Sequence, residues 1–317
     1  MIRFIIKRLL LLIPIALGVS FIVFAIMDFT PGDPATMILG EGASAEAQAA
    51  LREELGLNQP FILRYVEYVA NAVRGNFGNS YRTRIPVVQE IASRFMPTLT
   101  LAVLSLIVSV AVGLPIGVLS AVKQYSITDN ITLGVSLLLT SLPSFWLALM
   151  LILFFSVQLG ILPTIGIETW RHYVMPTIAT SAATIASLLR MTRSTMLEVI
   201  RQDYIRTARA KGAEEKTVIF GHALRNALLP VITIIGVNFG LSLGGAIVIE
   251  QIFAIPGLGQ LMINAIRSKD TPMVLGAVIF TALIASFINL LVDIVYAYID
   301  PRVKVQYHTI KRKKVSG

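Results

Sequence analysis

Cysteine is absent from the sequence, and only 14% of its 317 residues are charged. The lack of cysteine excludes disulfide bonds, thiolate metal ligands and a cysteine nucleophile. Soluble domains usually have about a quarter of their residues charged, whereas 55% of the residues here are hydrophobic and the mean hydropathy is +0.76. The composition therefore indicates a protein that folds in the lipid bilayer.

Long stretches without any charge follow one another along the chain. They cover residues 9–27, 95–122, 130–167, 172–189, 226–249 and 271–292. A helix needs about 20 mostly apolar residues to cross the hydrocarbon core of a membrane, and each stretch is close to this length or longer. We therefore predict an all-α integral membrane protein with about six transmembrane helices. Their expected positions are 8–28, 97–121, 131–156, 174–192, 227–250 and 273–298.

Positive charge is concentrated in four segments that share one side of the membrane if six spans are present. Lysines and arginines number 27, and 18 of them lie at positions 3–8, 123, 190–225 and 302–314. This distribution satisfies the positive-inside rule, so anionic lipid headgroups, rather than nucleic acid, explain the net charge of +9. We predict that both termini are cytoplasmic. The first apolar stretch exceeds the hydrophobic core of a signal peptide and is expected to remain as a span.

The predicted spans divide the chain into four parts. These are 1–28, the N-terminal tail and first span; 29–97, a small helical segment outside the cytoplasm; 98–298, the transmembrane domain with a cytoplasmic loop at about 193–226; and 299–317, a basic cytoplasmic tail. In the outer segment, Ser44 and Pro60 are expected to begin helices that end at Gly56 and near Gly75.

Motifs for catalysis are also missing from the sequence. It has no G-x-x-x-x-G-K-[ST] phosphate loop, no G-x-S-x-G nucleophile motif, and only three histidines, none of them spaced with a second metal ligand. We therefore predict no catalytic, cofactor-binding or metal-binding residue on this chain. Any energy that its function requires must come from a gradient or from another protein.

The predicted cytoplasmic loop carries the most informative pattern, ARAKG at 208–212, which is followed by HALRNALLP at 222–230. A short helix is expected from Asp203 to Lys211, with Gly212 in the left-handed conformation that ends it. The small alanines would allow close approach of another protein, and the arginines would fix its orientation. The expected contact residues are Tyr204, Arg206, Thr207, Ala208, Ala210, Lys211 and Gly212. By charge alone, the segment also fits an ordinary positive-inside loop.

These patterns resemble the dipeptide, oligopeptide and nickel branch of binding-protein-dependent ABC importer permeases. Further segments agree with that branch in the same order: TPGDP at 30–34, GNFGNS at 75–80, EQIF at 250–253 with PGLG at 256–259, and DPR at 300–302. The Glu-Ala-Ala that opens the loop motif elsewhere in the family is here Arg206-Thr207-Ala208. That departure is shared with the branch.

The resemblance implies a type I ABC importer permease fold with a small helical outer segment, in the inner membrane of a bacterial cell. It implies a second homologous permease subunit, two ATPase subunits that hold ATP and magnesium, and an extracytoplasmic solute-binding protein. The chain itself would be no enzyme; its loop helix would couple it to the ATPases. The implied cargo is a dipeptide or oligopeptide, with glutathione or a nickel complex as alternatives. A gradient-driven secondary transporter is the less favoured hypothesis.

Three features within or beside the predicted spans have two interpretations each. Gly236, Gly240 and Gly244 place a small residue every four positions, which suits tight helix packing or a pore wall at the interface with the second permease. Asp293 would be a structural ion-pair partner or a group for proton coupling. Glu250 would contact a partner protein or cap a loop.

Overall fold

The computed structural model describes residues 2–299 except Glu41 and Gly245, and it describes side chains at position 6 and at most positions from 10 to 294. The predicted basic tail and the DPR motif at 300–302 lie outside the described residues. The side chain of Asp293 also lies outside them. Within the described range, nearly all regular structure is helical.

Thirteen α-helices form in the described residues. They are α1 (Ile2–Phe29), α2 (Pro34–Leu39), α3 (Ala45–Glu54), α4 (Phe61–Val73), α5 (Val87–Val122), α6 (Ile127–Ser141), α7 (Ser144–Leu151), α8 (Val174–Ile200), α9 (Asp203–Ala210), α10 (Leu224–Leu243), α11 (Ile247–Ile252), α12 (Leu258–Arg267) and α13 (Thr271–Ile299). Two π-helical segments, Ile152–Gln158 and Thr217–Ala223, follow α7 and precede α10, and a 3₁₀ turn at Trp170–Tyr173 precedes α8.

Five helices in the described part of the chain are long and apolar enough to cross a membrane. Their apolar segments are Leu10–Phe29, Val87–Val122, Trp170–Ile200, Thr217–Leu243 and Thr271–Val292. A sixth span results if α6 and the helix Ser144–Gln158 are counted together, although the two are bent by 98° at their junction. The expected count of about six is therefore confirmed. The predicted third span is not one straight helix, because Pro143 follows α6 and lacks the amide hydrogen that would continue it.

Three other helix boundaries differ from the predicted ones. The helix of the second span begins at Val87, ten residues before the predicted start at 97. The fourth span continues to Ile200, well past the predicted end at 192. The fifth span ends at Leu243, and Glu250 lies in the separate helix α11. Gly244 follows Leu243 directly, and a glycine is a weak helix former because folding restricts its backbone more than that of any other residue.

The outer segment contains the helices that its capping residues predict. The Ser44 side chain accepts a hydrogen bond from the Ala47 N–H at 3.2 Å and so caps α3. Gly56 and Gly75 follow α3 and α4 with φ values of +65° and +83°, the left-handed conformation that glycine adopts without steric cost. Pro60 immediately precedes α4.

The described residues form two compact units, one within 2–100 and 243–286, the other within 101–242 and 287–299. Each has its own apolar cluster. In the first unit, the buried cluster comprises Met27, Val87, Ile91, Leu258, Ala265, Met273, Val274 and Ala277. In the second unit, the anchor cluster comprises Val118, Ala121, Met196, Ile205, Val218, Ile219, Ala223 and Ala227.

Candidate functional site

Helix α9 is the short helix predicted in the cytoplasmic loop, and it ends at Ala210, one residue earlier than expected. Asp203 lies in its first turn and Arg209 in its last, so both charges interact favourably with the helix dipole. Ile205 is fully buried, at 0% exposure, and packs in the anchor cluster beside Met196. Helix α9 is therefore attached to the rest of the second unit through its apolar side.

The end of α9 is a Schellman motif. Gly212 has a φ of +83°, and its N–H donates to the Arg209 carbonyl at 2.9 Å, while the Ala213 N–H donates to the Ala208 carbonyl at 3.2 Å. These bonds satisfy carbonyls that the helix itself leaves without partners. Ala208 and Ala213, the two positions between which this motif usually has an apolar contact, both pack on the anchor cluster. The spacing of Ala208 and Gly212 is thus explained by how the helix ends.

Most of the predicted contact residues lie on the outward side of α9. The exposed ones are Tyr204, Arg206, Thr207, Ala210, Lys211 and Gly212. Ala208 is half-buried against the anchor cluster, so only part of its side chain lies on the outward side.

An ion pair closes the turn after α9. The Arg209 guanidinium donates to both carboxylate oxygens of Glu215, at 3.0 and 2.8 Å. These hydrogen bonds raise the pKa of Arg209 and lower the pKa of Glu215. Sequence analysis did not single out Glu215; the available signal was an opposite charge a few residues beyond the glycine that reverses the chain.

A buried ion pair joins the helices that lead to α9. Asp129, at 1% exposure, accepts hydrogen bonds from Nε and Nη2 of Arg193 at 2.7 and 2.8 Å. The Ser120 hydroxyl and the Tyr125 N–H donate to the same carboxylate, at 2.5 and 2.9 Å. Ends of α5, α6 and α8 are thereby connected. Asp129 was not among the residues singled out from the sequence, although an acid and two arginines near ends of otherwise uncharged stretches indicated a pair.

Close backbone packing holds α5 against α8. A Cβ added to Gly117 would lie 2.7 Å from Thr192 Cβ and 2.8 Å from the Leu189 carbonyl oxygen. Arg190 of α8 also donates to the Thr140 hydroxyl of α6 at 2.7 Å. Since only Arg201 and Gln202 separate the end of α8 from α9, these contacts join the helix that precedes α9 to α5 and α6.

The structure describes the three glycines among the predicted pathway residues but not the side chain of Asp293. Gly236 of α10 lies so close to Val292 of α13 that a Cβ on the glycine would overlap the valine side chain. This contact supports the tight-packing interpretation. Gly240 is buried in α10, and Gly244 is half-buried just beyond the end of that helix. The contacts of Asp293 lie outside the described side chains.

Glu250 has the loop-capping role in the first unit. It is fully buried and accepts hydrogen bonds from the Thr98 hydroxyl at 2.7 Å and the Gln260 N–H at 3.0 Å, at the start of α12. A Cβ on Gly257 would lie 2.5 Å from the Glu250 carboxyl group, so PGLG at 256–259 makes room for it. Burial raises the pKa of Glu250, and these hydrogen bonds oppose that shift.

Two further motifs of the sequence meet at Lys269 and Asp270. Asp270 accepts hydrogen bonds from the Ser80 hydroxyl and from the Tyr81 N–H, the latter at 3.0 Å. Lys269 is buried and donates to the Thr30 carbonyl and, at 2.6 Å, to the Gly32 carbonyl. Burial, together with Asp270, raises the pKa of Tyr81 to about 12. The motifs TPGDP and GNFGNS are therefore structural parts of the first unit.

Two protein-family models match the chain. The model described as "Binding-protein-dependent transport system inner membrane component" matches residues 113–305. The model for the N-terminal part of such membrane components matches residues 1–102.

Similar proteins agree with these matches. The glutathione transport system permease protein GsiC of Escherichia coli (strain K12) is 42% identical over 304 residues, which are 96% of this chain and 99% of GsiC. GsiC of Shigella flexneri serotype 5b (strain 8401) matches to the same extent. A chain of the MetNI methionine ABC transporter, solved in an inward-facing conformation, aligns with a TM-score of 0.57 at 20% identity and covers 67% of this chain and 97% of that one. At this identity, the alignment shows the fold, that of a type I importer permease.

Proposed function

The chain belongs to the family of binding-protein-dependent transport system inner membrane components, and from this premise we propose that it forms one half of a pathway for dipeptides or oligopeptides. As a member of this family it is a multi-pass permease subunit of an ABC importer in the inner membrane. The observation that carries the cargo proposal is the 42% identity, over nearly the whole chain, with a glutathione permease. Glutathione is a peptide-like molecule and is the alternative cargo within the same class.

The proposed assembly has four further components. A second homologous permease completes the pathway, two ATPase subunits hold ATP and magnesium, and an extracytoplasmic solute-binding protein delivers the cargo. Both termini of this chain are cytoplasmic in the proposal, which places α9 on the side of the ATPases. Family membership favours this arrangement over a gradient-driven transporter.

The exposed face of α9 is the proposed contact with one ATPase. Closure of the ATPases on ATP would displace α9. Because Ile205 attaches α9 to the anchor cluster, and because Asp129 and Arg193 join α8 to α6, the displacement would reach α5, α6 and α8 without being absorbed in a flexible loop. Transport also requires that cargo bind the two resulting conformations with different affinity.

The test begins with gentle purification of the tagged chain with everything that accompanies it. We expect a second permease and two ATPases. The complex, reconstituted in vesicles with its binding protein, should then take up a labelled dipeptide or tetrapeptide only when ATP is present. Uptake driven by an imposed proton gradient without ATP would contradict the ATP-driven mechanism. Uptake of a nickel complex with no peptide uptake would contradict the cargo alone.

A further inference from the structure

Helix α4 has two chemically opposite faces. One face lines a cavity of about 550 Å³ in the first unit, and its residues there are Arg64, Glu67, Tyr68 and Asn71. The other face is aliphatic, and its side chains are between 47% and 82% exposed. This apolar face of α4 consists of Ile62, Leu63, Val66 and Val73. Positions 62, 66 and 73 recur at helical spacing, so they form one stripe of about three turns.

Helix α4 packs against α1 within the apolar part of that span. The Tyr65 hydroxyl donates to the Leu17 carbonyl at 2.9 Å, and the Tyr65 ring lies 5.6 Å from that of Phe24. The apolar segment of α1 is Leu10–Phe29. At 1.5 Å per residue, Phe24 is about 7 Å from the end of this segment, and Leu17 is about 18 Å from it. The contact therefore lies at a depth where the membrane is hydrocarbon.

Arg64, the basic residue of α4, forms an ion pair beside this contact. Arg64 Nη2 is 2.5 Å from the Asp28 carboxylate, and both side chains are largely covered. The Arg64 guanidinium also lies 5.7 Å from the centre of the Phe24 ring. A paired cation next to an aromatic ring is far less costly near hydrocarbon than a lone one. The polar face of α4 is therefore compatible with a position close to the acyl chains.

We propose that the apolar face of α4 is immersed in the acyl chains of the leaflet in which α1 ends, so that α4 is an in-plane membrane helix. Amphipathic helices of this kind sink about 5–10 Å into the boundary between headgroups and acyl chains. The ring of Phe24 belongs to a residue at that depth, and the Tyr65 side chain reaches deeper along α1, to the Leu17 carbonyl. Contiguous aliphatic surface of this kind is uncommon in contact with water.

The composition of the face favours lipid over a protein as its partner. It contains only aliphatic side chains, whereas protein interfaces are enriched in aromatic residues, methionine and arginine. It is also accompanied by exposed aliphatic residues of the span itself, since Ile22 and Ile26 of α1 are each 58% exposed. The inference requires only that α1 crosses the membrane, and it is independent of the proposed cargo.

The natural absence of cysteine makes a direct test possible. Single variants Val66→Cys and Val73→Cys carry a nitroxide label, and the complete transporter is reconstituted in vesicles of phosphatidylglycerol and phosphatidylethanolamine. Collisions of the label with oxygen, which concentrates in hydrocarbon, are compared with collisions with a water-soluble nickel chelate. Glu67→Cys, at a position that lines the cavity on the polar side of α4, is the matched control, and Ile26→Cys on α1 is the membrane reference. Gel filtration of each labelled transporter, with elution at the volume of the unlabelled wild-type protein, shows that it is assembled.

We expect the ratio of oxygen to nickel collisions at Val66 and Val73 to match that at Ile26 and to exceed that at Glu67 several-fold. A ratio equal to that at Glu67 would place the face in water and overturn the inference. Immobile labels with few collisions of either kind would show that a protein covers the face, which would also overturn it.

Discussion

The Asp129 carboxylate and the Arg193 guanidinium form a two-point ion pair, with N–O distances of 2.7 and 2.8 Å, between the first turn of α6 and the helix that leads into α9. The same carboxylate accepts two more hydrogen bonds, from Ser120 and Tyr125. A buried pair satisfied in this way is a point of attachment, because neither charge is stable there without the other.

The variant Asp129→Asn should lower the free energy of unfolding by about 3 kcal/mol, because it leaves the Arg193 charge without its partner. In the double variant with Arg193→Gln, part of that loss should be recovered, since the unpaired charge is also removed. Denaturant unfolding of the two single variants and the double variant in mild detergent measures this coupling. Strictly additive losses would show that the pair contributes nothing beyond its separate residues.

Two properties of Gly212 can be tested separately. Its backbone is left-handed, and it lies on the proposed contact surface at the end of α9. Asparagine tolerates this conformation better than most residues, and no atom lies within 4 Å of a Cβ at this position. Gly212→Asn should therefore retain most ATP-dependent uptake, whereas the isosteric Gly212→Asp should uncouple ATP hydrolysis from uptake by placing a negative charge on the proposed contact. Both variants should still insert in the membrane.

Uptake and ATPase activity of the reconstituted complex measure both variants at Gly212. Full uptake with Gly212→Asp would argue against docking at this end of α9. Equal losses in the two variants would show that the space at Gly212, and not the charge, is what the contact requires.

Thr98→Val should destabilise the first unit by about 1–3 kcal/mol, because burying a polar group without a partner has this cost. The Thr98 hydroxyl donates to Glu250 at 2.7 Å and accepts from the Leu258 N–H at 2.8 Å. Thr100→Val is the matched control, since Thr100 is exposed and bonds only the Met96 carbonyl of its own helix. Thermal unfolding in detergent compares them. Equal effects of the two substitutions would contradict the role of Thr98.

Glu250 should make stability depend on pH. Burial raises its pKa above the ordinary value of 4.5. A carboxyl group of this kind contributes stability that is fully present below its unfolded-state pKa and is lost as the pH rises through the folded-state pKa. The wild-type thermal midpoint, relative to that of Glu250→Gln, should therefore fall as the pH is raised from about 4.5. Parallel pH curves for the two proteins would contradict this assignment.

Uncharged stretches located the spans because hydrocarbon admits few charges, and caps such as Ser44 located helix starts. The break at Pro143 was not predicted, because it lies in the middle of an uncharged stretch and proline is tolerated within many membrane helices. Composition does not distinguish a kinked span from one bent by 98°.

The local structure of the candidate site was predicted from the sequence, but its contacts between distant residues were not. The bounds of α9 and the glycine that ends it follow from local capping rules, and the structure agrees to within one residue. The inward position of Ala208 depends on where the anchor cluster lies, which no local rule gives. The partners of Glu250 and Asp129 are 152 and 64 residues distant in sequence. Such pairs follow only from the tertiary fold.

The closed turn after α9 also has a thermodynamic consequence for assembly. Gly212, its two backbone hydrogen bonds and the pair of Arg209 with Glu215 already fix this surface in the single chain. Ordering a loop or a long side chain during association costs about 0.5–1.5 kcal/mol for each immobilised side chain. Here much of that conformational entropy is lost when the permease folds, before any partner arrives. A substitution that loosened the turn would weaken association through entropy alone, even if every contact at the interface were preserved.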